Sequence, residues 1–333
     1  MSGTLSRREF LGTAAASVAV VSLAVALPPV APVRAQTPVK IGYIRNLPAG
    51  PMFLAHERGY FRDAGIDTEM VLFNTGAEIS TGLATGQLGL GFSALVPMIN
   101  AWARGVGVTA VADAHKLRPG NSTVQFVVRS DLADAIQTGA DLRGRRVSTA
   151  GPGGPLNYMA RALLEQNGLT LDDIEVANVL GADAIEAMAN GALDVAASDE
   201  PFATRAEMQG FGRRWIRFED VLPPTQVSGL LVSEDLLRDR PRVVAITAAW
   251  LRGVREFLAG QSSDPAVIDV LARWSGFSAE LVRNAVPAYM DPNGGVDVED
   301  VKRQQAYWMQ AGVVTAPAPI DQRVDLSFLS AAL

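Results

Sequence analysis

The 333-residue chain has no cysteine and only two histidines. Without cysteine there is no disulfide, no thiolate metal site and no thiol to carry a lipid anchor. His56-Glu57 sits on an expected helix, but no second histidine follows four residues on, so the zinc-protease motif is absent. Either histidine needs a serine partner for nucleophilic work, and no Gly-x-Ser-x-Gly elbow occurs. The glycine-rich run Gly151–Pro155 lacks the Lys and Ser/Thr of a phosphate-binding loop, and its two prolines remove N–H donors. It serves better as a turn ahead of a helix N-terminus, a fair contact for an anion or a carbonyl. Aromatic residues are sparse at 7%, and Trp102, Trp215, Trp250, Trp274 and Trp308 are scattered as core residues are. The formal charge of −6 speaks against nucleic acid as a partner. No catalytic residue, metal site or cofactor is therefore expected.

What is present begins with an export pattern. Residues 6–11 read SRREFL, and from Leu11 to Val33 there is no charge. Val33-Arg34-Ala35 then offers small residues for cleavage. A charged start, an apolar middle and a small-residue end make a signal segment over 1–35, and the arginine pair points to the twin-arginine route. Pro28, Pro29 and Pro32 argue against a spanning helix. Cleavage leaves 298 residues, 36–333, and removes three basic residues and one acidic one, moving the net charge from −6 to −8. That length suits two lobes, each able to bury a core. No second stretch is long and apolar enough to cross a membrane, so a free periplasmic protein is expected.

The chain is organised by a repeat. Gly76–Gly105, GAEISTGLATGQLGLGFSALVPMINAWARG, returns 105 residues later as Gly181–Gly210, GADAIEAMANGALDVAASDEPFATRAEMQG. Gly76, Ala77, Ala84, Gly86, Leu88 and Ser93 meet Gly181, Ala182, Ala189, Gly191, Leu193 and Ser198, and one residue of slip brings Pro97 onto Pro201. Two copies at so long a period indicate two similar lobes. Ile79 and Leu83, like Ile185 and Met188, share a helix face, and Gly86 and Gly191 stop those helices. Leu88, Leu90 and Phe92 then alternate as a strand does, as do Leu193, Val195 and Ala197. A proline follows each strand-ending serine within four residues, suited to the first turn of a new helix. Strand C-termini that feed helix N-termini are where open α/β sheets bind ligands.

The units before each copy also match. Val39–Ile44 is a strand, Asn46–Gly50 a loop, Pro51 a helix start, Gly59 its stop and Thr68–Phe73 a strand. Later, Val147–Thr149, Gly151–Gly154, Pro155, Gly168 and Ile174–Val179 repeat that order. Thr109–Ala112, Thr123–Val128 and Gln226–Val232 read as further strands, with Ser233 capping Glu234–Leu237. Helices over Pro241–Ala259, Asp264–Leu271, Ala279–Ala285 and Val298–Gln310 form a tail that returns to the first lobe. Among candidate contacts, Arg45 is placed to pair with a ligand carboxylate or sulfonate. Asp199 and Glu200 are adjacent carboxylates. An acid–base pair, a cap for the helix at Pro201 and, for Asp199, a contact to a ligand amine or hydroxyl all stand open, with the cap favoured over catalysis.

On these residues the chain resembles the nitrate/sulfonate/taurine-binding solute-binding proteins of ABC importers, a group that includes binders of a thiamine pyrimidine precursor. PMFLAHERGYFRDAGIDTEMV at 51–71, the following Gly76–Gly105 stretch and Asp199–Phe202 carry the resemblance, which covers most of 38–260. It implies an α/β, two-lobed periplasmic binding protein fold of type II, each lobe a βα-rich sheet flanked by helices, with a two-crossing hinge near 125 and 229. Residues 38–124 would open the first lobe, 125–228 form the second, and 229–333 return to the first. The implied partners are a small-molecule ligand and a membrane permease, and a monomer is expected because a hinged binder must open freely. By position, the cleft is expected to hold Arg45, Asn46, Leu47, Pro48, Gly50, Thr75, Gly76, Ser93, Ala94, Thr149, Gly153, Gly154, Asp199 and Gln226. Asp199 stands where the family often has an aromatic residue, which makes the pocket more polar. The cysteine-rich motif of the pyrimidine-precursor binders is absent. A small organic anion, sulfonate or carboxylate, held by helix N-termini and hydroxyls is the favoured cargo. Nitrate or bicarbonate would need a tighter, more charged pocket, and an enzyme or binder for a thiamine pyrimidine precursor is the alternative.

Overall fold

In the computed structural model, residues 37–333 are described; the expected signal segment, 1–35, lies outside them. Ten strands form two five-stranded sheets. The first six are β1 (Val39–Tyr43), β2 (Thr68–Leu72), β3 (Leu90–Ala94), β4 (Thr109–Leu117), β5 (Val124–Arg129) and β6 (Arg146–Ser148). The others are β7 (Glu175–Ala177), β8 (Val195–Asp199), β9 (Gly212–Arg217) and β10 (Thr225–Val232). The first sheet runs β2-β1-β3-β10-β4 and the second β7-β6-β8-β5-β9. In each, the first three strands are parallel, as helical crossovers require, and the fourth is reversed.

The reversed strands explain the hinge. The chain leaves the first sheet after Leu117 and enters the second as β5; it leaves the second after Arg217 and re-enters the first as β10. Each lobe's fourth strand is thus delivered by the other lobe. The return begins at Thr225, so residues 225–228, expected in the second lobe, are paired with β4 and β3 of the first. Alternation in TQVSGLLV does not reveal which sheet receives it; only the pairing partners decide.

Local chemistry matches the repeat. Gly86 and Gly191 end their helices at φ +73° and +74°, a backbone that side chains resist. Thr75 and Glu78 form a capping box on helix Gly76–Ala84, and the Ser233 hydroxyl accepts from Leu236 N as expected. One strand was not anticipated. β9, GRRWIR, carries three arginines and lies at the edge of the second sheet, where charge on an outward face is tolerated.

The tail helix Arg240–Gly260 buries Val243, Trp250, Val254 and Phe257 against helix Gly50–Glu57 of the first lobe. The approach is so close that a Cβ on Gly253 would lie 2.3 Å from Pro51 O. Helix Val298–Gln310 bridges instead. Its Trp308 joins a core that runs from Ile79 and Leu95 of the first lobe to Phe126 and Val147 of the second. Its Tyr307 ring packs at a 46° tilt with its centroid 4.6 Å from that of Tyr158, and its hydroxyl donates to Glu165 of the second lobe at 3.1 Å.

Candidate functional site

A cavity of about 270 Å³ lies between the two sheets, where strand C-termini of both lobes converge. Asn46, Pro48, Gly76, Ser93, Ala94 and Asp199 of the expected residues line it. Gly76 and Ala77 are the first residues of helix Gly76–Ala84, and Ala94 is the N-cap of helix Leu95–Ala103. First-turn N–H groups have no intrahelical acceptor, so the Gly76–Ala77 end presents donors to the cavity, while the end at Ala94, with Ala94 paired to Ser228 and no N–H on Pro97, adds its positive dipole. Gly76 has a local reason as well: a Cβ there would sit 2.8 Å from Ser93 Oγ, which donates to Gly76 O at 3.0 Å.

The other expected residues are placed elsewhere. Arg45 is exposed and does not line the cavity. Leu47 is buried in the first core, and Gly50 packs under Phe257, whose ring a Cβ would meet at 2.3 Å. Thr75 is spent on its capping box. Thr149 is buried away from the cavity, donating to Ala150 O at 3.2 Å and accepting from Asn157 Nδ2. Gly153 and Gly154 border a void of about 10 Å³ that continues from the cavity past Ala94, Pro155 and Val227. Gln226 is a buried hub: its Nε2 donates to Asp113 Oδ1 (2.6 Å) and Ser228 O (2.8 Å), and its Oε1 accepts from Asp297 N. Position in the strand-end loops of the resembled family had suggested these as contacts, but packing or hydrogen bonding holds Leu47, Gly50, Thr75, Thr149 and Gln226 elsewhere, and Arg45 stands in solvent.

Two crossing residues join those that line the cavity: Ser228, in the stretch 226–228 that the resemblance places in the cleft, and His115, which had not been assigned there. His115, near the end of β4, lines the cavity and holds Thr123 Oγ1 at 3.1 Å through Nε2. Burial pushes its imidazole down to about 4, so it is neutral at pH 7. Ser228 also lines the cavity, is 4% exposed, and its hydroxyl has no hydrogen-bond partner among the described residues. The signal for both was their place beside the strand crossings. His56 bonds Thr68 Oγ1 instead and packs on Trp274, away from the cavity.

Charge on the wall is one-sided. Among the described residues no lysine or arginine lines the cavity, whereas Asp199 and Glu200 both do. Glu200 is fully satisfied: Oε1 accepts from Gln125 Nε2 at 2.6 Å and Arg214 at 2.9 Å, and Oε2 accepts from Thr204 Oγ1 at 2.7 Å and Thr204 N at 3.3 Å. It is Glu200, then, that serves the helix Phe202–Met208, not Asp199. The Asp199 carboxylate enters no ion pair or side-chain hydrogen bond among the described residues, and burial pushes it up to about 6.

A wider open groove, about 510 Å³, lies at the opposite end of the first sheet, beside Val39, Gly89 and Asp239. It is lined from the first lobe alone, where the Ser233 and Asp239 side chains already cap the helix N-termini that reach it, and so lacks the convergence of two lobes that the interlobe cavity has.

Two lobes of open sheet, exchanged fourth strands and a cavity between their strand C-termini define the two-lobed periplasmic binding protein fold. The chain belongs to the NMT1-like family, which matches residues 34–274. A periplasmic aliphatic sulphonate binding protein, SsuA from Escherichia coli, superposes with a TM-score of 0.72 over 87% of this chain and 92% of that one at 22% identity. The periplasmic nitrate-binding protein NrtA from Synechocystis PCC 6803 superposes with a TM-score of 0.71 over 90% and 88% at 14% identity. A 4-amino-5-hydroxymethyl-2-methylpyrimidine phosphate synthase of Aspergillus parasiticus is 23% identical over 159 residues. That match spans 46% of this chain and 44% of the relative. No helix among the described residues is long and apolar enough to cross a membrane.

Proposed function

We propose that this protein is the periplasmic solute-binding component of an ABC importer, which captures a small organic anion in the interlobe cavity and delivers it to a membrane permease. The observation that carries this is the cavity itself, with two helix N-termini of the first lobe facing the strand ends of the second. A solute that touches both lobes binds best when they are closed and so shifts the population toward that state. The likeness to a sulphonate-binding protein supports a sulfonate as cargo, and a carboxylate is the other organic anion that helix N-termini and hydroxyls can hold. A bare inorganic ion would leave most of a cavity of about 270 Å³ unfilled and find no cationic side chain of the described residues on its wall. The protein works without catalysis, as a monomer, after export of the chain by the twin-arginine signal of residues 1–35.

A second reading rests on His115, an imidazole on the cavity wall, together with the pyrimidine phosphate synthase relative. It makes the protein a binder or enzyme for a pyrimidine precursor. A thermal-shift screen of the purified protein against sulfonates, carboxylates, nitrate and aminopyrimidines separates the two. A ligand at a hundred times its Kd adds about 2.7 kcal/mol. Shifts confined to organic anions support the proposal; shifts confined to aminopyrimidines, with turnover detected by mass spectrometry, replace it with the second reading.

A further inference from the structure

We infer that the C-terminal tail is a strap that bridges the two lobes on both faces of the cleft and holds them closed before any solute arrives. The inference concerns the resting state and does not depend on which cargo is bound. Each sheet has a core on either face. β10 alternates between the first lobe's two: Leu230 and Val232 enter one with Phe53 and Trp250, and Leu231 enters the other with Ile79 and Trp102. β5 does the same in the second lobe: Phe126 and Val128 join that second core, and Val127 enters a third with Ile185 and Ala203. The second core is thus common to both lobes, while the first and third are separate.

The tail fastens both sides. On the shared side, helix Val298–Gln310 sets the Tyr307 ring against Tyr158 of helix Pro155–Gln166 and the Tyr307 hydroxyl on Glu165. The Trp308 ring lies 5.5 Å from that of Tyr158. On the other side Phe277, which packs on the first core, meets Phe202, which packs on the third, edge to face at 5.6 Å. Between these points the tail is anchored to both crossings. Asn121 Nδ2 donates to Pro287 O and Lys116 N to Tyr289 O at the first; Gln304 Nε2 donates to Gln226 O and Gln226 N to Asp300 at the second. A tail that only completed the first lobe would turn its aromatic rings into that lobe. These rings reach across instead, and a rotation that opens the cleft parts them. The chain itself therefore favours the closed state, and a solute finds its cavity largely formed.

The test is the interlobe distance in the absence of solute. The chain has no cysteine, so Glu69→Cys on β2 and Glu175→Cys on β7, both exposed and on edge strands of the two sheets, take nitroxide labels at those sites alone. Double electron–electron resonance is recorded on protein unfolded and refolded to strip carried-over solute, with the native tail and with Phe277→Ala plus Tyr307→Ala. The native tail is expected to give mainly the short distance of the bridged lobes. The double variant should add a longer one, the closed-to-open ratio falling by roughly ten- to a hundredfold as two aromatic pairs are lost. A native distribution dominated by the longer distance refutes the strap, and so does a double variant whose distribution is unchanged. If that variant does not fold, Phe277→Leu with Tyr307→Leu keeps apolar bulk, loses the ring pairs and is read the same way. No solute enters the measurement, so failure of the strap appears here and failure of the cargo reading appears only in the thermal-shift screen.

Discussion

Arg214→Met should destabilise the second lobe by about 3 kcal/mol, and the figure can be built contact by contact. Arg214 donates to Glu200 at 2.9 Å, to Thr204 Oγ1 and to Glu207. The Glu200 side chain is 1% exposed and that of Arg214 is 27% exposed. Removing one partner of a buried pair costs roughly 3–5 kcal/mol when the other charge is left alone. Here Glu200 keeps Gln125 Nε2 and both Thr204 donors, and Arg214 is partly hydrated, so about 2–3 kcal/mol is appropriate. The pair with Glu207 is more exposed and adds at most about 1 kcal/mol. Methionine retains much of the apolar stem, which keeps the packing change small. Urea unfolding followed by tryptophan fluorescence measures the loss. Glu200→Gln in the same background should recover part of it, with a coupling of roughly 2 kcal/mol in the double-mutant cycle. A loss under about 0.5 kcal/mol, or no coupling, would refute the claim that Arg214 compensates Glu200.

Two further outcomes follow from buried polar groups. Burial raises Asp199 from 3.8 to about 6, so the folded state binds that proton more tightly than the unfolded one; the stabilisation is complete below about pH 4 and lost as pH rises through about 6. Asp199→Asn should therefore be more stable than the native protein at pH 8, by on the order of 1–3 kcal/mol, with the gap closing below pH 4; an equal gap at both pH values would contradict this. Gln226→Ala should cost roughly 3–4 kcal/mol, because Asp113, Ser228 O and Asp297 N all lose a buried partner. Its affinity for solute under native conditions should persist, since Gln226 does not line the cavity; lost affinity at unchanged stability would restore it as a direct contact.

The local elements were legible because their causes are local. Glycines at positive φ, a serine cap and period-two alternation act within a few residues, and Gly86, Ser233 and Leu90–Phe92 did as their neighbours in sequence demanded. The internal repeat extended that legibility to architecture, since two like segments must build two like lobes. β9 stayed hidden because Arg213, Arg214 and Arg217 obscure its strand pattern; the edge of a sheet supplied the pairing, and Glu200 a partner for Arg214.

The site divided along the same line. Sequence by itself determined that strand ends feed helix starts, which put Asn46, Gly76, Ser93, Ala94 and Asp199 at one cavity. Only the tertiary structure decided that Gln226 and Thr149 turn inward, that Gly50 yields its space to Phe257, and that His115 faces the cavity from a crossing strand. It also decided that Asp199 is left without a counter-charge while its neighbour Glu200 is paired. The reason is physical: which way a side chain points, and what neutralises it, is set by residues that are distant in the chain, such as Arg214 and Phe257, and adjacent only after folding.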